Sequence, residues 1–263
     1  MLGAIAGDII GSRFERSPHK GKAFELFTEE SRFTDDTILS VAVADAIMNK
    51  RDFSTTIKQY ARAYPDGGYG KRFKQWVAAD ELEPYNSWGN GSAMRVSPVG
   101  FAYADRPTVE AIARQTAEVT HNHPEGIRGA QATAVMVMLA KQFENKPLIR
   151  TAIASAFGYN LSRSLDSIRP GYTFDVSCQG SVPEAMISFL EADGFEDAVR
   201  NAVSLGGDTD TMGAIAGAIA EAYYGSVPNH IAYEALKRLD DRLRNVTLAF
   251  CEKYTQPYAY QAA

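Results

Sequence analysis

The pentapeptide GAIAG occurs twice in this 263-residue chain, as residues 3–7 and again as residues 213–217. Glycine or alanine at every third or fourth position strips side-chain bulk from one stripe of a helix, so two backbones can approach closely. Such stripes are familiar from membrane helices, but Asp8 and Glu221 interrupt these runs. No apolar run approaches the ~20 residues that a membrane span requires. The stripes are therefore expected in a protein core, on two central helices lying against each other. Groups at the ends of such helices sit on rigid elements, where a site of defined geometry belongs.

Helical periodicity dominates the rest of the chain. Ile38, Leu39, Ala42, Val43, Ala46 and Ile47 share one face of a helix, as do Val109, Ile112, Ala113, Thr116 and Val119. Ser181 and Glu184 read as a capping box with Pro183 in the first turn. Leu236, Leu239, Leu243 and Val246 continue the pattern in one last long segment. Alternating strands are absent, so the expected class is all-α, a single domain of about ten helices. At 45% hydrophobic and 22% charged residues the composition shows no sign of disorder. A net charge of −5 offers no basic surface for a polynucleotide, so nucleic acid is not an expected partner. The opening residues contain Asp8 and no basic leader, unlike a secretory signal. Cys178 and Cys251 form neither a disulfide framework nor a zinc spacing. A cytoplasmic monomer without membrane attachment is expected.

Two acidic clusters stand out. RFTDDTILS places Thr34, Asp35, Asp36 and Thr37 before one predicted helix, and LGGDTDTMG places Asp208, Thr209, Asp210 and Thr211 before the second GAIAG. Each alone reads as a helix cap whose acids favour the positive end of the macrodipole, worth about 0.3–1 kcal/mol apiece. Together they offer four carboxylates and four hydroxyls. If the helix ends meet, the carboxylates repel and raise one another's pKa unless a cation lies between them. An all-oxygen donor set favours a hard ion, Mg²⁺ first, then Mn²⁺, with Ca²⁺ as a further option. Four acids exceed what one Mg²⁺ takes, which points to two ions sharing a bridging aspartate. YNSWGNGSAMR, THNHPEG and YPDGGYG add glycine-rich and histidine-bearing segments that read singly as turns or helix ends.

GAIAGDIIGSRFE, FTDDT, YGKRF, GNGSAMRVSP, THNHP and GGDTDTMGAIAGA, in that order over nearly the whole chain, resemble the ADP-ribosylglycohydrolase family. This is the all-α family of dinitrogenase reductase-activating glycohydrolase and the ADP-ribosylhydrolases. The resemblance implies a compact orthogonal multi-helix bundle with a binuclear Mg²⁺ or Mn²⁺ site at helix N-termini. One ion would be held by Thr34, Asp35 and Asp36, and the other by Asp208, Asp210 and Thr211, with Asp210 bridging. Glu15 matches a glutamate on a mobile flap, and Glu15 and Asp36 are the catalytic candidates, in open order. Ser87, Trp88, Gly89 and Asn90 match a loop on the distal ribose and diphosphate, and His121 matches a residue near the phosphates. Tyr69 and Gly70 match a loop over the same pocket, and Asp66 matches an acid near the scissile bond, although YPDGGYG departs from the pattern just beyond it.

The implied activity is hydrolysis of the glycosidic bond between ADP-ribose and a modified side chain, through an oxocarbenium-like transition state. The partner is an ADP-ribosylated protein or a small molecule containing ADP-ribose. Arginine-linked ADP-ribose is the first choice, given THNHP and Asp66, an acid able to pair with a guanidinium. Serine-linked ADP-ribose and O-acetyl-ADP-ribose are alternatives. A catalytically silent relative is a further alternative. So is an all-α terpenoid synthase, which also carries Mg²⁺ on aspartate-bearing helices, although DDTIL lacks a third acid one turn on.

Overall fold

The computed structural model describes residues 1–80 and 83–260, and among these the regular structure is entirely helical. The first half runs α1 (Leu2–Gly11), a short 3-10 turn (Ser12–Phe14), α2 (Asp35–Asn49), α3 (Phe53–Ala63), α4 (Lys71–Ala78), α5 (Gly91–Met94), α6 (Ser97–Ala102) and α7 (Arg106–Glu118). It continues with α8 (Pro124–Gln142), α9 (Lys146–Phe157), α10 (Leu165–Ile168), α11 (Cys178–Leu190), α12 (Phe195–Val203), α13 (Thr209–Tyr224), α14 (Asn229–Lys237) and α15 (Asp241–Tyr254). None of these helices is long and apolar enough to cross a membrane.

Helices α1 and α13 form the axis of the molecule, antiparallel and in glycine register. Gly3 faces Gly217, Gly7 faces Gly213, and Gly11 faces Thr209. A Cβ on Gly213 would fall 2.6 Å from the Gly7 carbonyl oxygen, and one on Gly3, Gly7, Gly11 or Gly217 would overlap the facing carbonyl outright. The Thr209 hydroxyl donates to the Gly11 carbonyl at 2.9 Å and pins the end of the pair. Every residue of α1 is buried, as is α13 from Thr209 to Ala222. Helices α8, α11 and α12 pack around α13, while α2 lies against α1 and α3. Antiparallel pairing puts the C-terminus of α1 beside the N-terminus of α13, so Glu15, Asp208 and Asp210 arrive at one end of the molecule.

Three local expectations are corrected. Helix α2 is buried from Asp36 to Ile47 rather than along one stripe, because it too runs through the interior. Helix α11 begins at Cys178 with Ser177 as its cap, accepting from the Gly180 N–H at 3.0 Å. Ser181 lies inside the helix and donates to the Ser177 carbonyl at 2.7 Å, and Pro183 sits beyond the first turn. The last long segment is two helices, since the Asp240 carboxylate accepts from the Leu243 N–H at 3.0 Å and starts α15 afresh. Such caps contribute about 1 kcal/mol each.

A candidate metal centre beside an open cavity

The acidic end is assembled from three chain segments. Thr34 caps α2, accepting from the Asp36 N–H at 3.3 Å. Asp208 stands at the cap position of α13 but forms no side-chain cap bond. Instead its carboxylate accepts from the Asn90 amide at 2.7 Å, and Asn90 also donates to Ser181 at 3.1 Å. The approach to Asp208 is tight: Gly206 adopts φ +65°, and a Cβ on Gly207 would enter the Tyr172 ring. The second cluster therefore does more than cap its helix. Thr211 directs its hydroxyl at the Asp36 carboxylate at 3.3 Å.

Glu15, Asp208 and Asp210 bring one carboxylate oxygen each within 4.8 Å of one another. Burial pushes the carboxyls of Asp35, Asp36 and Asp208 well above the usual aspartate range, and the Asp210 charge beside each adds to it. Half-buried Glu15 is raised for the same two reasons, with Arg16 and Arg32 opposing. One oxygen of Asp36, Oδ1, is buried with no hydrogen-bond partner. An orphaned acceptor among crowded carboxylates, with oxygen as the sole donor type, fits divalent cations such as Mg²⁺ or Mn²⁺.

One residue of this centre was not among the sequence candidates. Asp8, fully buried on α1, accepts from the Thr34 N–H and hydroxyl at 2.9 and 2.7 Å. It also accepts from the Thr37 N–H and hydroxyl at 3.1 and 2.5 Å. A carboxylate of α1 thus caps α2 and locks Thr34 in place. Burial, then Asp210, raises its pKa to about 7 against the Thr34 and Thr37 bonds. Its signal in the sequence was an acid within a run of small apolar residues, a position a core rejects unless a partner waits there.

The acids form one side of a cavity of about 390 Å³. Glu15, Asp35, Asp36, Asp208, Asp210 and Thr211 line it with Gly70, Ser87, Gly89, Asn90 and His121, all expected from the sequence. Thr34 lies behind that wall. The lining also includes Lys71, Arg72, Tyr85, Arg95, Phe174 and Val176, none of them a sequence candidate. Besides Thr34, three expected residues stand outside the lining. Asp66 is exposed, and its turn meets the site through backbone: the Gly67 carbonyl accepts from the Asp35 N–H at 2.7 Å, while Gly68 lines the cavity. Trp88 is 46% exposed, with its carbonyl accepting from Cys178 N–H at 3.1 Å. Tyr69 is buried against Phe73, ring centroids 5.1 Å apart. His123 caps α8, its Nδ1 accepting from Glu125 N–H at 3.1 Å.

The family model described as ADP-ribosylglycohydrolase matches residues 1–259. ADP-ribosylhydrolase ARH3 of Gallus gallus is 30% identical over 308 aligned positions, which take in 86% of this chain and 84% of that protein. The alignment is longer than this 263-residue chain, so the chicken protein carries insertions. ADP-ribosylarginine hydrolase Tri1 of Pseudomonas putida is 27% identical, covering 86% of this chain and 69% of that one. A solved structure titled ADP-ribosylglycohydrolase-related protein complex superposes with a TM-score of 0.71 at 25% identity, covering 95% of this chain and 96% of that one.

Proposed function

Because the chain belongs to the ADP-ribosylglycohydrolase family, and its enzymes hydrolyse ADP-ribosyl bonds, we propose that this one is a hydrolase dependent on two divalent ions and acting as one domain on arginine-linked ADP-ribose. The observation that carries the reading is a cavity whose lining combines a cluster of acids with the cationic side chains Lys71, Arg72 and Arg95. A ligand suited to both kinds of group carries a neutral, hydroxyl-rich ribose and a diphosphate.

Thr34, Asp35 and Asp36 would hold one Mg²⁺ or Mn²⁺, and Asp208, Asp210 and Thr211 the second. When bound, the ions neutralise the clustered acids and polarise the ribose hydroxyls and an attacking water. The protein's own groups do the rest. Arg72, exposed above the Tyr85 ring at 5.0 Å, neutralises phosphate charge, and Asn90 fixes the Asp208 carboxylate. Glu15, half-buried at the edge of the acids with a raised pKa, takes a proton from water as it adds to the anomeric carbon. The bond from that carbon to the side-chain nitrogen breaks, and the proton passes to the leaving group. Asp36, fully enclosed with a free Oδ1, is better placed to hold an ion than to shuttle a proton.

Family membership displaces the terpenoid-synthase alternative. The arginine linkage rests on the likeness to Tri1, since exposed Asp66 offers no support for it. The test is ADP-ribose release from arginine-linked, serine-linked and O-acetyl substrates, with and without EDTA, for the natural protein and for Asp208→Ala and Asp210→Ala. Arginine-linked turnover should vanish with EDTA, return with Mg²⁺ or Mn²⁺, and fall about 100-fold or more in either variant. Turnover indifferent to EDTA and to both substitutions would overturn the metal reading, and release only from another linkage would overturn the substrate.

A further inference from the structure

Arg95 lines the cavity with its side chain fully buried and, among the described residues, forms no ion pair with an acid. Its Nη2 donates to the Thr116 carbonyl at 2.9 Å and to the Thr120 hydroxyl at 3.0 Å, while Nε and Nη1 have no hydrogen-bond partner. The Thr120 hydroxyl oxygen in turn lies 2.7 Å from Nδ1 of His121, the next residue. We propose that Arg95 and Thr120 form a relay that fixes His121 as the Nε2–H tautomer, a neutral hydrogen-bond donor to an oxygen of the bound ADP-ribose. The proposal deepens the functional reading above and rests on it for the ligand.

The direction follows from what each group can give. A guanidinium donates and never accepts, so Thr120 receives the Arg95 hydrogen. Among the described residues, Arg95 and His121 are the groups within hydrogen-bond distance of the Thr120 hydroxyl. The Thr120 hydrogen is then available to Nδ1, and with Nδ1 accepting, a neutral ring carries its hydrogen on Nε2. The reverse tautomer would leave the Thr120 hydrogen unused in a fully buried place, which costs free energy. Geometry puts the Nε2 edge against the glycine-rich loop: a Cβ at Gly91 would lie 3.0 Å from it and one at Gly89 3.6 Å. Both glycines and His121 line the cavity. Burial, with Arg95 and Arg72 adding to it, holds the imidazole pKa well below its usual value, which keeps the ring uncharged. Arg95 and Thr120 are thus positioning residues, acting on the ligand only through His121.

The test uses protein labelled with 15N in the histidine rings. Long-range 1H–15N spectra of the ligand-free wild type should show His121 protonated at Nε2 and bare at Nδ1. Thr120→Val keeps the shape and removes the hydroxyl; it should shift the ring toward the Nδ1–H form and weaken ADP-ribose binding about 10-fold by calorimetry in Mg²⁺, and Thr120→Ser should restore both. A wild-type His121 protonated at Nδ1, or a folded Thr120→Val protein with unchanged spectrum and affinity, would overturn the relay. The wild-type spectrum decides the tautomer even if the valine variant fails to fold. An Nε2–H ring in a wild-type protein with no affinity for ADP-ribose would leave the relay standing and overturn the functional reading.

Discussion

Asp8 makes four hydrogen bonds, all to Thr34 and Thr37 on another helix. It is the residue through which the core positions the site, because the Thr34 hydroxyl that it holds accepts in turn from the Asp36 N–H. Asp8→Asn keeps the size but turns an NH₂ toward groups that are themselves donors. Breaking charged hydrogen bonds in a buried place costs about 1.5–3 kcal/mol each, so the variant should lose about 3 kcal/mol of stability in thermal or denaturant unfolding. Mn²⁺ affinity measured by calorimetry should fall about 10-fold with it, since Thr34 and Asp36 lose their support. Full retention of both would remove Asp8 from the account. Thr209 is a contrary case within an expected cluster: its hydroxyl is spent on the Gly11 carbonyl, so it serves the helix pair rather than the acids.

The α1–α13 pair sets the geometry of the acids at the level of the element. Its register depends on the absence of side chains at Gly3, Gly7, Gly213 and Gly217. Gly7→Ala would drive a methyl into the Gly213 carbonyl and part the helices. Overpacking a tight core costs about 1–3 kcal/mol and sometimes more, and here neither facing group is a flexible side chain. The expected loss is about 3 kcal/mol, with hydrolysis reduced beyond the loss of folded protein, because Glu15 follows α1 while Asp208 and Asp210 ride on α13. Gly171→Ala, where a Cβ meets nothing within 4 Å, is the control and should stay within about 0.5 kcal/mol. Equal melting temperatures for the two variants would show that the close approach is dispensable.

Clustered acids make the stability of the whole molecule depend on pH and cations. The Asp8 carboxyl rises from 3.8 to about 7 on folding, and Asp35, Asp36 and Asp208 move the same way. A carboxyl with a higher pKa folded than unfolded binds more protons in the folded state, so stability is lost as pH rises through that interval. EDTA-treated protein should therefore melt at progressively lower temperature between about pH 4 and pH 7. A divalent cation at about 100 times its Kd at pH 7 should restore about 2.7 kcal/mol there, and that same concentration should give a larger gain at pH 8 than at pH 5. A metal-free melting temperature that climbs with pH across this range would contradict the repulsion argument.

Helical class, the closeness of the two GAIAG segments and the oxygen-rich chemistry of FTDDT and GGDTDT were legible in the linear chain. Periodicity, side-chain volume and donor type are properties of neighbours along the backbone. The convergence of those two motifs with Glu15, the cap that Asp8 lends to α2, and the burial of α2 on all sides arise from segments far apart in sequence. So does the exclusion of Asp66 and Trp88 from the cavity: the Asp66 turn meets the site through the Gly67 carbonyl, and the Trp88 carbonyl is taken by the Cys178 N–H while its ring is exposed. Arg95, Phe174 and Val176 belong to no periodic pattern; packing alone brings them to one cavity. Local chemistry selects which residues are capable of a reaction, and the antiparallel register of two glycine-faced helices decides which of them meet.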